Sequence, residues 1–184
     1  MPNVFEVLRK DHEEVKAMLV RLEAGPAVTL GAAAEQIAQR RHVVDDVIIE
    51  ESVHEAVEQQ YFWPLVRALG PDGDRVADEA LKQETQIEWV LNELGKLDAD
   101  DDRFEPALAT FISAARAHIA FEEAHAWPLP AAALTAEQAD ELGNKITRAK
   151  KMAPTRPHTQ KAAGPMTGVA DRFRDAVTDR GRHS

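Results

Sequence analysis

The segment HEAVEQQYFWPL, His54 to Leu65, returns further along the chain as HIAFEEAHAWPL, His118 to Leu129. His, Glu, Trp, Pro and Leu recur at the same offsets, while most residues between them differ. On a helix turning roughly 100° per residue, a His and a Glu four positions apart lie about 40° apart, one turn above each other on a single face. The phrase therefore describes two helices, each presenting a His–carboxylate pair to one side. The proline at position eleven of the phrase ends or kinks each helix, and Trp63 and Trp127 are read as packing near that end.

The rest of the sequence supplies partners for those two helices. Segments with apolar spacings of three and four are interrupted at Gly25-Pro26, at Gly70 to Gly73, at Asp98 to Asp102 and at Pro128/Pro130. The pattern predicts helices over about 3–24, 29–69, 73–97 and 103–127, with a shorter fifth over about 135–151 opened by the capping-box pattern Thr135-Ala-Glu-Gln138. No segment reads as a strand, so the fold class is all-α: an antiparallel up-down-up-down four-helix bundle with a short fifth helix. The expected domain spans 1–153. Residues 154–184 change to a Pro-, Gly- and Thr-containing stretch with six Lys/Arg against three Asp, and read as a mobile basic tail.

In the first and third helices the matching inward positions are His12 and Glu84, with Val15 answering to Ile87, Leu19 to Leu91 and Leu22 to Leu94. With roughly 1.5 Å of rise per residue, Glu84 and His118 come out level, whereas Glu88 fits less well. His54 comes out much further along its helix than His12, so residues 29–40 should overhang the bundle or form a separate segment. His12, His54, Glu58, Glu84, His118 and Glu122 thus converge. Such a set of buried ionisable groups is costly without a cation among them. Zero cysteines leave only nitrogen and oxygen donors, and two His-x-x-x-Glu elements suit two metal ions with terminal histidines and bridging glutamates. Tyr61 and His125 fall seven positions after the paired histidines, about 20° off the same face. That reckoning makes them candidate catalytic groups, a phenol to hydrogen-bond a bound oxidant and an imidazole to deliver protons. His42, Glu50 and Glu51 read as solvated, and His158 and His183 have no partner spacing.

DHEEV around His12, together with the two repeated phrases, resembles the hemerythrin-like, or HHE cation-binding, domain over about residues 3–130. The resemblance implies a four-helix bundle with two non-haem iron ions, oxo- or hydroxo-bridged, held by His12, His54, Glu58, His118 and Glu122. The family usually places one or two histidines on the third helix; this chain has none there, and Glu84 stands in their place. A carboxylate in that position stabilises ferric iron, which argues against reversible dioxygen carriage and for reaction with a small oxidant such as peroxide or nitric oxide. Non-catalytic oxygen, redox or iron sensing or storage is the alternative, and a ferritin-like site using Glu122-x-x-His125 is a second one. A net charge of −10 disfavours nucleic acid and anionic membranes as partners, and no apolar run reaches the length of a span. A charged N-terminal stretch unlike a signal peptide gives a cytoplasmic expectation, with the chain a monomer or weak homodimer.

Overall fold

The computed structural model describes residues 2–25 and 27–156. Seven helices follow in order: α1 Val4–Glu23, α2 Ala34–Val57, α3 Trp63–Arg67, α4 Pro71–Leu94, α5 Phe104–Phe121, α6 Pro128–Ala133 and α7 Ala136–Lys150. Two π-turns, Glu58–Phe62 and Glu122–Ala126, join α2 to α3 and α5 to α6. The bundle's four limbs are therefore α1, α2 through α3, α4, and α5 through α6, and the described residues contain no strand. Residues 154–156 apart, the expected tail lies outside the described residues. The fifth helix forms where its capping box predicts: Thr135 Oγ1 accepts from Gln138 N–H at 3.2 Å, and Gln138 Oε1 accepts from Thr135 N–H at 2.9 Å. The single helix expected over 29–69 is instead broken at both ends. A 3-10 turn, Val28–Leu30, runs into Gly31 at φ 78°, a left-handed residue that no α-helix continues through. From Ala34 onward the chain is helical and held down, because Arg40 donates to the Leu22 carbonyl and forms a two-bonded pair with Glu105 at 3.0 and 2.7 Å.

Apolar residues on the limbs bury two separate clusters. One contains Val15, Leu19, Val44, Val47, Ile87, Leu91, Leu108 and Phe111; the other contains Leu8, Val57, Phe62, Trp63, Ala77, Ala80, Leu142 and Ile146. Along every limb the two clusters are separated by a polar position: His12 on α1, His54 and Glu58 on the second limb, Glu84 on α4, and His118 and Glu122 on the fourth. Helix α7 joins only the second cluster, where it packs along α1. The core is thus two hydrophobic layers with a polar one between them.

Candidate metal centre

The π-turns explain why the phrase carries its Trp-Pro. Proline at 64 or 128 cannot donate to the carbonyl four residues back and would collide with it in a regular helix. An extra residue in the preceding turn removes the conflict: Trp63 N–H reaches the Glu58 carbonyl and Trp127 N–H the Glu122 carbonyl at 2.9 Å, each five residues back. The widened turn brings Trp63 and Trp127, 1% and 4% exposed, against the polar layer. Trp63 Nε1 donates to Glu84 Oε1, and the Trp127 ring stacks on His12 with centroids 4.8 Å apart at 17°. Each indole reaches across to the inward residue of the other helix pair. Sequence reasoning placed these tryptophans at helix ends and missed that contact.

The six expected residues come together, none more than 3% exposed. His12, His54 and Glu122 offer donor atoms within 4.8 Å of one another, and so do Glu58, Glu84, His118 and Glu122. Glu122 belongs to both sets, with His12 Nε2 at 3.0 Å, His118 Nε2 at 3.2 Å and His54 Nε2 at 3.9 Å from its oxygens. Glu58, in the second set only, lies 3.2 Å from His54 Nε2. Outside the cluster, every imidazole is oriented by its other nitrogen. His12 Nδ1–H donates to Glu123 at 3.0 Å, His54 Nδ1–H to Asp11 at 3.4 Å, and His118 Nδ1–H to the Gln83 side-chain oxygen Oε1 at 3.2 Å. These acceptors fix the proton on Nδ1 and turn the Nε2 lone pair inward, the arrangement that metal-binding histidines use. The three Nε2 atoms, both Glu58 oxygens and both Glu122 oxygens have no hydrogen-bond partner among the described residues. Lone pairs facing lone pairs at 3 Å in a dry site require either protons or a cation between them. The donor set therefore fits metal ions.

Electrostatics point the same way. Burial opposes charge on His118, but the Glu122 carboxylate beside it overrides this and raises the imidazole to about 9. His54 is raised too, against its burial, by Glu58, Asp11 and Glu122. Burial, then Glu58, pushes Glu84 up to about 8, while Glu122, despite burial, is held well below the usual carboxylate range by the three histidines. A cation among these groups would take the place of the protons that such shifts otherwise retain. Glu51, expected to be solvated, is 3% exposed and sits in the same layer beside Glu55 at 2%, and burial pushes both upward. Helix α2 packs against α1, α4 and α7, so these two carboxylates of its polar run do not reach water. His42 is exposed as expected.

Tyr61 and His125 do not join the cluster. Both lie inside the π-turns, where 100° per residue no longer holds, so the α-helical reckoning that set them on the ligand face fails. Tyr61 is half-buried and faces a surface hollow shared with Lys145, Arg148 and Ala149; His125 is exposed against the Phe121 ring, centroids 5.4 Å apart. The ferritin-like alternative needed His125 as a ligand and falls with it.

The model of the hemerythrin HHE cation binding domain matches residues 3–129. An uncharacterized hemerythrin-like protein of Schizosaccharomyces pombe is 24% identical over 186 residues, covering 96% of this chain and 87% of its own. The crystal structure of a hemerythrin HHE cation binding domain-containing protein from Mycobacterium kansasii superposes with a TM-score of 0.67 at 19% identity, covering all of this chain and 94% of that one, a likeness of fold. With the matched domain spanning all four limbs and the inward His/Glu layer, the chain belongs to the hemerythrin HHE cation-binding family.

Proposed function

We propose that the polar layer holds two iron ions, one at His12, His54 and Glu122 and the other at Glu58, Glu84, His118 and Glu122, and that the pair reacts with a small oxidant, peroxide or nitric oxide. The observation that carries this reading is the set of seven buried, partnerless nitrogen and oxygen atoms turned toward one another. Two iron ions so held would supply the electrons for reducing such an oxidant. The chain's own part is to fix the donors, exclude water and bias the metal's charge. Position one has two imidazoles and a shared carboxylate; position two has one imidazole and three carboxylates. More anionic donors favour the higher oxidation state, so Glu84 inclines the second position toward ferric iron and away from reversible oxygen carriage. Trp63 and Gln59, the latter at 2.7 Å, donate to the two Glu84 oxygens and hold that carboxylate in place. Two hydrophobic clusters seal the layer from both ends.

Metal analysis and visible absorption test this together. Protein loaded anaerobically with ferrous salt should bind about two ions per chain, develop near-ultraviolet charge-transfer bands on oxidation and consume hydrogen peroxide over repeated additions. Uptake without turnover would leave the metal centre and remove the oxidant chemistry; no uptake would remove both.

A further inference from the structure

The family domain ends at residue 129, yet one line of contacts into the metal centre begins beyond it. Asp11, which accepts the Nδ1 proton of His54 at 3.4 Å, is 4% exposed and is paired on its other oxygen with the Lys150 ammonium at the end of α7. We propose that Lys150 is a positioning residue for the metal centre, acting through Asp11 to orient and tune His54. The proposal rests on the metal-centre reading above.

Three observations carry it. Asp11 is a buried carboxylate whose charge is tolerable only beside a counter-charge, and among the described residues its side chain is partnered by Lys150 and His54. Lys150 also fixes where the carboxylate sits, since one oxygen belongs to it and the other to the imidazole. Finally, α7 is seated against α1 without slack. At Gly143 a Cβ would come within 2.5 Å of the Pro2 carbonyl and 2.8 Å of Val4 N, and Leu142 and Ile146 are fully buried beside it. The lysine is thus delivered to Asp11 by a docked helix. A parallel line, Lys16 to Glu123 to His12, has Glu123 34% exposed, so water screens it; the Asp11 carboxylate, at 4%, is shielded. Among the described residues, His118 has the neutral Gln83 behind it. Of the three imidazoles, His54 is the one whose oriented proton depends on a helix outside the matched domain.

The test uses the full chain, titrated anaerobically with ferrous iron against a competing chromogenic chelator. Lys150→Met should weaken one of the two binding steps about ten-fold or more, the scale on which partners of metal-bound histidines act. Lys150→Arg should stay within a few-fold of wild type. In an Asp11→Asn background Lys150→Met should add little, because the relay is already cut. Leu142→Ala serves as the packing control: it loosens α7 and lowers the melting temperature while leaving the ammonium in place. Equal ferrous affinity in Lys150→Met and wild type overturns the proposal. So does a Leu142→Ala variant that loses affinity in the same proportion to its melting temperature as Lys150→Met, since the effect would then be packing alone. A wild-type chain that takes up no iron overturns the metal centre itself, and the relay with it.

Discussion

Glu58 and Glu122 occupy equivalent places in the two repeats, each one turn after a buried histidine and each opening a π-turn. Their surroundings differ. Glu122 lies within 3.9 Å of the imidazole nitrogens of His12, His54 and His118, which together hold it well below the ordinary carboxylate range against its burial. Glu58 meets His54 at 3.2 Å but faces Glu122 as well, and burial with that neighbouring charge pushes it upward. The local phrase thus dictates the backbone, because Pro64 and Pro128 impose the same widened turn. What each carboxylate does depends on the helices that do not repeat, where His12 stands in one pair and Glu84 in the other.

The sharpest break of this comparison is to remove each carboxylate in turn. Glu122 belongs to both donor sets and Glu58 to one. Glu122→Ala should abolish binding of both ions, whereas Glu58→Ala should leave about one per chain, read by metal analysis after anaerobic loading and desalting. Equal losses would show that the two repeats are interchangeable at the metal.

A smaller effect should follow from making the non-repeating helices alike. Glu84→His gives α4 the residue type of α1 and removes one negative charge from the second position. Oxidised protein should then show shifted charge-transfer bands and a higher reduction potential, with two ions retained. Unchanged spectra in Glu84→His would mean that the carboxylate does not coordinate.

Metal removal exposes the same asymmetry through pH. In the metal-free chain His118 titrates near 9 against an unfolded value of about 6.5, and Glu84 near 8 against about 4.5. Both bind protons more tightly when folded. Their contribution to stability is complete below the unfolded values and is lost as pH rises through about 5 to 9. Glu122, shifted the other way, contributes above its unfolded value and loses that contribution in acid. The metal-free protein should therefore melt lower as pH rises across that window, by on the order of 5–10 °C for a few kcal/mol. Loaded protein should show a flatter profile, since cations replace the protons. Matching slopes with and without metal would place these groups outside the binding site.

Much of this was legible in sequence. Period and punctuation placed the limbs, and repetition placed His54, Glu58, His118 and Glu122; alignment of the two helix pairs by their apolar positions found His12 and Glu84. The partners behind the histidines were not legible, because Asp11, Gln83 and Glu123 reach their imidazoles from other helices. Such contacts arise from packing and leave no local pattern. Tyr61 and His125 were misplaced for a different reason, a uniform helical twist carried through a turn that proline had widened. The signal was present: a proline ten residues after a helical histidine forbids the regular hydrogen bond just before it, and an inserted residue is one of the few ways to keep the helix going.

The two tryptophans of the repeat give the finest contrast. Trp63 Nε1 donates to the Glu84 carboxyl in the buried layer, a group that would carry its full negative charge with a cation beside it. Trp127 Nε1 has no partner among the described residues; its ring works by stacking on His12, with the Arg9 guanidinium 5.5 Å from the ring centroid as a cation–π contact. Phenylalanine preserves an aromatic face and deletes the indole N–H. At position 63 that substitution frees one Glu84 oxygen from its donor, and losing a bond to a charged group should alter ferrous affinity at the second position on the order of ten-fold. At position 127 the N–H has no partner among the described residues, so Trp127→Phe should leave both binding steps within about two-fold. Parallel titrations of the two variants decide it: similar shifts in both would mean that the indoles act as packing alone, and that the crossed contacts between the two helix pairs carry no influence on the metal.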